Sequence, residues 1–211
     1  MEPKAAAQAG DNRLSPDNTT LLMVDHQTGL MQMVRDYPTD EFKNNVLALA
    51  DTALLFNLPT ILTTSAETGP NGPLLPELKA KFPKAPYIPR PGQINAWDNE
   101  DFVQAVKATQ RKKLLIAGIV TDVCVAFPTL SALSEGFEVY VVTDASGTFS
   151  EPVREAALLR MVHAGAVLIN WFAVSAELQR DWRQKTGKDL AQLYADHLVS
   201  YGNLISSRNA K

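Results

Sequence analysis

The stretch that most constrains this chain is KKLLIAGIVTDVCVAFPTLSALSEG, from Lys112 to Gly136. Its apolar run, Leu114 to Ile119, is short and flanked by charge and glycine, the mark of a strand buried on both faces of a parallel sheet. Apolar positions then recur at helical spacing as far as Gly136, a residue suited to a helix C-terminus, so strand is predicted to run straight into helix. Cys124, the only cysteine of the chain, falls in the first turn of that helix. Unpaired N–H groups and the helix dipole favour an anion there, which predicts a lowered thiol pKa and a nucleophile. Open parallel sheets also bind ligands at the carboxyl ends of their strands. The competing reading of a lone cysteine is an inert, buried small hydrophobe, and the stretch by itself leaves both open.

The same pattern repeats along the chain. Thr20 to Val24 is a second short apolar run, and it ends in the polar sequence Asp25-His26-Gln27, so Asp25 is placed like Cys124. Helical spacing follows from Thr39 to Leu54, then a strand over Thr60 to Ser65. ETGPNGP, beginning at Glu67, carries enough proline and glycine to break both regular structures and forms a candidate pocket rim, though it reads equally as a connector. A short helix over Glu77 to Lys81 leads to a strand over Pro86 to Pro89, which puts Arg90 at a third strand end. A helix over Ala96 to Ala108 delivers the chain to the Leu114 strand. Phe137 to Thr143 is the fifth strand, Glu151 to His163 a helix ended by Gly165, and Ala166 to Ile169 a sixth strand. Helical patterns close the chain over Ala173 to Arg183 and Leu190 to His197. Strand and helix alternating about six times with short connections predict one doubly wound α/β domain over residues 19–183. Residues 1–18 read as a loose leader, and 184–211 as a helical extension packing at a subunit interface.

Composition removes several function classes. The chain of 211 residues has a formal charge of -3 and no basic stripe, which argues against nucleic acid and against a charged membrane surface. No apolar run reaches membrane-spanning length and the N-terminus lacks a signal-peptide core, so a cytoplasmic protein is expected. One cysteine excludes an internal disulfide. A small-molecule substrate is the remaining expectation.

Asp25, Arg90 and Cys124 thus stand at three strand ends that topology can bring together. A thiol needs a base within hydrogen-bond reach, and a carboxylate beside a guanidinium is held ready for proton transfer. At VDHQTGL (Val24 to Leu30), GIVTDVCV (Gly118 to Val125) and VVTDASGT (Val141 to Thr148) the sequence resembles the isochorismatase-like cysteine hydrolases. The strings FKNNVLALA, ETGPNGP and RPGQINAWDNEDF are most similar to the YcaC-like subgroup of that family.

The resemblance implies a three-layer α/β/α fold with a six-stranded parallel sheet ordered 3-2-1-4-5-6. It also implies a triad in which Asp25 is the base, Cys124 the nucleophile, and Arg90 stands where most members have lysine. Arginine keeps its proton, so Arg90 can orient Asp25 but cannot relay protons. A cis non-proline peptide is implied near Val120-Thr121, and backbone N–H groups of Val120, Thr121 and Cys124 are the expected oxyanion donors. Metal-containing members place Asp-x-His after the second strand. This chain has Ser65-Ala66-Glu67 there, so neither a metal nor another cofactor is expected. A ring-like homo-oligomer, possibly an octamer in the pattern of the subgroup, is a further implication. Gln27, Glu67, Asn95, Trp97 and Phe149 are the pocket candidates. His26 is weighed as an alternative base, but strand alternation turns it away from the side that Asp25 faces. Asp122 and Asp144 read as turn and capping residues, and Trp171 as core or pocket lining. Two rival functions stay open: a redox-active thiol protein, and an oligomeric binding protein with a residual site.

Overall fold

The computed structural model describes residues 13–210. Six strands form one parallel sheet: β1 (Thr19–Val24), β2 (Thr60–Ser65), β3 (Tyr87–Arg90), β4 (Lys113–Gly118), β5 (Glu138–Val142) and β6 (Val167–Ile169), in the order β3-β2-β1-β4-β5-β6. The central strands β1 and β4 are buried at every position, which is why their sequences are continuous apolar runs rather than alternating ones. Their register pairs Leu22 with Ile116 and Val24 with Gly118. A Cβ at Gly118 would overlap the Val24 carbonyl, so only glycine allows the two strand ends to lie this close.

Helices cover both faces. On one lie α1 (Thr39–Leu55), α2 (Pro76–Lys81), α6 (Trp171–Gln179) and α7 (Gly187–His197), packed through Phe42, Leu49, Leu78, Trp171 and Leu190. The other carries α3 (Glu100–Ala108), α4 (Ala126–Ser134) and α5 (Glu151–His163), packed through Phe102, Val106, Ala132 and Met161. Gly136 follows α4 at φ +84° and closes that helix in the left-handed conformation a side chain resists.

Several elements differ from the sequence reading, each for a local reason. A π-helical turn over Thr121–Val125 separates β4 from α4, so Cys124 sits ahead of the α-helix rather than in its first turn. The predicted helix over Ala96 to Ala108 is a 3-10 turn, Ala96–Asp98, followed by α3. Asn99 interrupts it by accepting the Phe102 N–H as an N-cap. The helix predicted over Ala173 to Arg183 is α6, which starts earlier because Asn170 caps it through the Ala173 N–H. It stops at Arg180, which adopts φ +58°.

At the ends of the chain the corrections are larger. Of the leader, residues 13–18 fall within the described part and are tied down. Leu14 is fully buried, and its N–H bonds Glu177 Oε2 at 2.9 Å. The segment beyond residue 184 holds two helices. Helix α7 packs on α1 and buries Leu190, Leu193 and Tyr194 in the chain's own core, whereas α8 (Val199–Asn209) leaves Val199 81% and Leu204 62% exposed.

Candidate active site

Strand β1 ends at Val24, and Asp25 turns the chain at φ +58°. Aspartate tolerates that left-handed conformation better than most residues, and its N–H is held by Thr63 O at 2.9 Å. The turn aims the carboxylate across the strand ends at Arg90. Both side chains have no exposure to solvent, and Arg90 Nη2 donates to Asp25 Oδ1. The rest of the guanidinium is also committed: Nε donates to Thr63 Oγ1 at 3.0 Å, and Nη1 to the carbonyls of Gln93 and, at 3.2 Å, Ile94. A planar fork with five donors can satisfy all four acceptors at once, which an ammonium cannot.

Cys124, half-buried, completes the group. Its thiol lies against the Asp25 carboxyl, with the Val120 backbone and Arg90 close enough to favour its anion. No donor meets full hydrogen-bond geometry at Asp25 Oδ2, so the contact with the thiol is a loose one. Such contacts tighten when substrate enters.

The electrostatics reverse the expectation for the thiol. Burial pushes the Cys124 thiol well above its ordinary value, and the adjacent Asp25 carboxylate pushes it further. The Val120 N–H and Arg90 oppose them without prevailing. The predicted lowering at a helix N-terminus therefore does not occur, because the residue lies in the π turn and faces an anion. Burial likewise raises the Asp25 carboxyl, outweighing the charge and hydrogen bond of Arg90 that pull it down. At rest the site holds a neutral thiol beside the hydrogen-bonded Asp25–Arg90 pair.

The remaining candidates separate by how their hydrogen bonds are spent. The cis peptide is Ile119-Val120, one bond before the position the resemblance implied. The Thr121 N–H bonds Gly147 O at 3.1 Å, which removes Thr121 from the oxyanion donors. Gln27, fully buried, gives Nε2 to Ser65 O and Gly72 O and takes the Ser65 N–H on Oε1. Its amide braces residues 66–75, and those three bonds occupy both its Nε2 and its Oε1. Glu67 accepts from Thr64 Oγ1 at 2.9 Å and from the Tyr87 hydroxyl. Thr64 alternates with Thr63, the residue that meets Arg90, so Glu67 lies across the sheet from the triad. Burial, with Glu67 alongside, pushes Tyr87 up to about 12. Asn95 caps the 3-10 turn through the Trp97 N–H and reaches Ser131 Oγ. Trp97 packs edge-on against Phe102 and Phe137 as core. Phe149, 45% exposed, keeps an open face on the carboxyl edge of the sheet.

His26 is not placed as a base. Its Nε2–H donates to Ala145 O at 3.0 Å, and burial lowers its pKa to about 4, so it stays neutral. Asp122 accepts from Thr148 Oγ1, and Asp144 takes the Trp171 N–H at the start of α6. The sequence reading missed the clamps on Arg90: Thr63 and the carbonyls of Gln93 and Ile94. The alternation of Thr63 and Thr64 on β2 carried a signal for the first, whereas backbone acceptors carry none. Among the described residues no cluster of His, Cys, Asp and Glu could hold a metal ion. No described helix is long and apolar enough to cross a membrane.

Comparison with known proteins bears on the whole chain. YcaC of Escherichia coli (strain K12) is 63% identical over 195 residues, covering 92% of this chain and 93% of that protein. Its crystal structure, described as an octameric hydrolase of unknown specificity, superposes with a TM-score of 0.92 over 95% of this chain and 98% of that one. A YcaC from Pseudomonas aeruginosa, with hexane-2,5-diol and covalent acrylamide, is 64% identical and also reaches a TM-score of 0.92, over 95% of this chain and 99% of its own. The family profile of the isochorismatase domain matches residues 19–172. With the parallel sheet in the order 3-2-1-4-5-6 and relatives this similar over nearly its full length, the chain is a hydrolase of the isochorismatase family.

Proposed function

We propose that the protein hydrolyses a small amide, ester or related C–N bond through a thioester on Cys124. One observation carries the reading: the only thiol of the chain faces a buried carboxylate whose other side is held by a saturated guanidinium. The thiol is protonated at rest, so attack on a carbonyl requires a base in place, and the raised pKa of Asp25 makes it a better one. Cys124 Sγ bonds to the carbonyl carbon as its proton passes to Asp25. Arg90, which keeps its charge, then stands beside a neutral acid and stabilises the anion that forms. The backbone N–H groups of Val120 and Cys124 are the proposed oxyanion donors. Asp25 returns the proton to the leaving group, and water cleaves the thioester.

The P. aeruginosa relative supports this reading, because acrylamide is an electrophile that thiolates capture. Octameric assembly of the E. coli relative and the exposed apolar residues of α8 support a homo-oligomer. Light scattering at micromolar concentration tests that part, and a monomer would contradict it. For the chemistry, Cys124→Ala should abolish hydrolysis across a panel of small amides and esters, and a purified variant that still turns them over would refute the thioester.

A further inference from the structure

A cavity of about 240 Å³ lies at the amino ends of β4 and β5, the edge of the sheet opposite Cys124. The connection from α3 to β4 contributes Lys107, Gln110, Arg111 and Lys112 to its lining, and the connection from α4 to β5 contributes Glu135 and Phe137. Three cations thus share this space with one carboxylate, in a chain whose formal charge is -3. That carboxylate is already engaged: Glu135 Oε2 pairs with Lys107 Nζ at 2.8 Å, and Oε1 accepts the Trp97 indole N–H at 2.7 Å. Glu138, at the start of β5, is taken by Lys113 at 3.2 Å. The positive surplus therefore rests on Arg111 and Lys112, whose side chains have no hydrogen bond or ion pair among the described residues.

Two helix C-termini end here, and open carbonyls would repel an anion. The turns that follow cap them. The N–H groups of Thr109 and Gln110 bond Val106 O and Lys107 O, and those of Glu135, Gly136 and Phe137 bond Ser131 O, Leu133 O and Ala132 O. Phe137 is half-buried, its ring fixed edge-on against Trp97 at 5.7 Å between centroids. The aliphatic stems of the lysines and arginine extend that apolar surface. A concave space with an aromatic wall and two unpaired cations at its rim is complementary to a flat apolar body that carries a negative group.

We propose that this cavity binds a small aromatic anion, a carboxylate or phosphate ester whose charge meets Arg111 and Lys112 and whose ring lies against Phe137. The site is independent of the chemistry proposed for Cys124. Helix α4 joins the two regions, starting from the π turn that carries Cys124 and ending beside Glu135.

The test is isothermal titration calorimetry of the full chain with three probes: naphthoate, naphthalenemethanol as its uncharged counterpart, and inorganic phosphate as a charge without a ring. Naphthoate should bind at least about fivefold more tightly than either of the others. Replacing both cations, in Arg111→Gln/Lys112→Gln, removes no hydrogen bond or ion pair of the fold. It should weaken naphthoate by about tenfold and leave naphthalenemethanol unchanged. Lys185→Gln/Lys188→Gln deletes the same charge near the start of α7 and should change naphthoate binding by less than about twofold, because exposed charges beyond a Debye length are screened. Any of four results overturns the proposal: no binding of naphthoate at millimolar concentration, phosphate or naphthalenemethanol binding as tightly as naphthoate, undiminished binding in the Arg111 and Lys112 variant, or an equal loss in the Lys185 and Lys188 variant.

Discussion

Two connections leave adjacent strands at the same edge of the sheet, and they meet opposite fates. Residues 66–75 after β2 and 91–95 after β3 are both broken by proline and glycine, and both carry polar residues that suggest a binding rim. In the first, Gln27 reaches over from β1 and exhausts its amide on Ser65 and Gly72, and Glu67 is consumed by Thr64 and Tyr87. The second is held by Arg90 through main-chain carbonyls, and the Gln93 Oε1 is left buried without a partner. Composition and position are alike in the two loops. What separates the two loops is whether the polar capacity of the side chains is already used.

The largest effect is expected from breaking the clamp on the second loop. Arg90→Ala strands a buried Asp25 without its counter-ion, which should cost about 3 to 5 kcal/mol of stability by denaturant unfolding. It should also move the acidic limb of the pH–rate profile upward, because the nearby positive charge was lowering the carboxyl. An unchanged limb would show that Arg90 does not act on Asp25. The matching change in the first loop, Gln27→Ala, deprives Ser65 and Gly72 of their partners and should cost about 1 to 3 kcal/mol. Relative rates on amides and esters should stay as in the wild type, and a shifted preference would return Gln27 to the pocket.

Asp144, at the end of β5 and outside both loops, gives a smaller and pH-dependent effect. Burial raises its pKa to about 6, from an ordinary value of 3.8, so the folded state holds the proton more tightly than the unfolded chain. Its contribution therefore falls as pH rises from about 4 to about 6 and remains lost above that. Asp144→Asn keeps an acceptor for the Trp171 N–H and should stabilise the protein by about 1 to 3 kcal/mol at pH 7, with no gain near pH 4. A gain independent of pH, measured by thermal unfolding across that range, would assign the effect to something other than the buried charge.

Much of this was legible in the chain. The apolar runs of β1 and β4 are unambiguous because strands covered on both faces need no polar positions. Their polar ends then located Asp25 and Cys124. Topology brought in Arg90. The π turn was not legible, because Thr121 to Val125 continue the helical spacing and differ only in which carbonyl accepts each N–H. Nor was the direction of the thiol pKa, which depends on Asp25 lying against the sulfur and on burial, neither of which is local in sequence. Leu14 and Tyr194 show the same limit at the chain ends, where single residues in polar surroundings dock into the core. The distinction between Gln27 and Gln93 required every partner to be placed in space.

The central claim is that Cys124 carries the acyl group. Rapid-quench intact-mass measurement during turnover of a small ester or amide from the panel addresses it directly. The account predicts a transient adduct of acyl mass on Cys124 that forms and decays with turnover and is absent in Cys124→Ala. Turnover with no adduct, at a rate unchanged in Cys124→Ala, would contradict it.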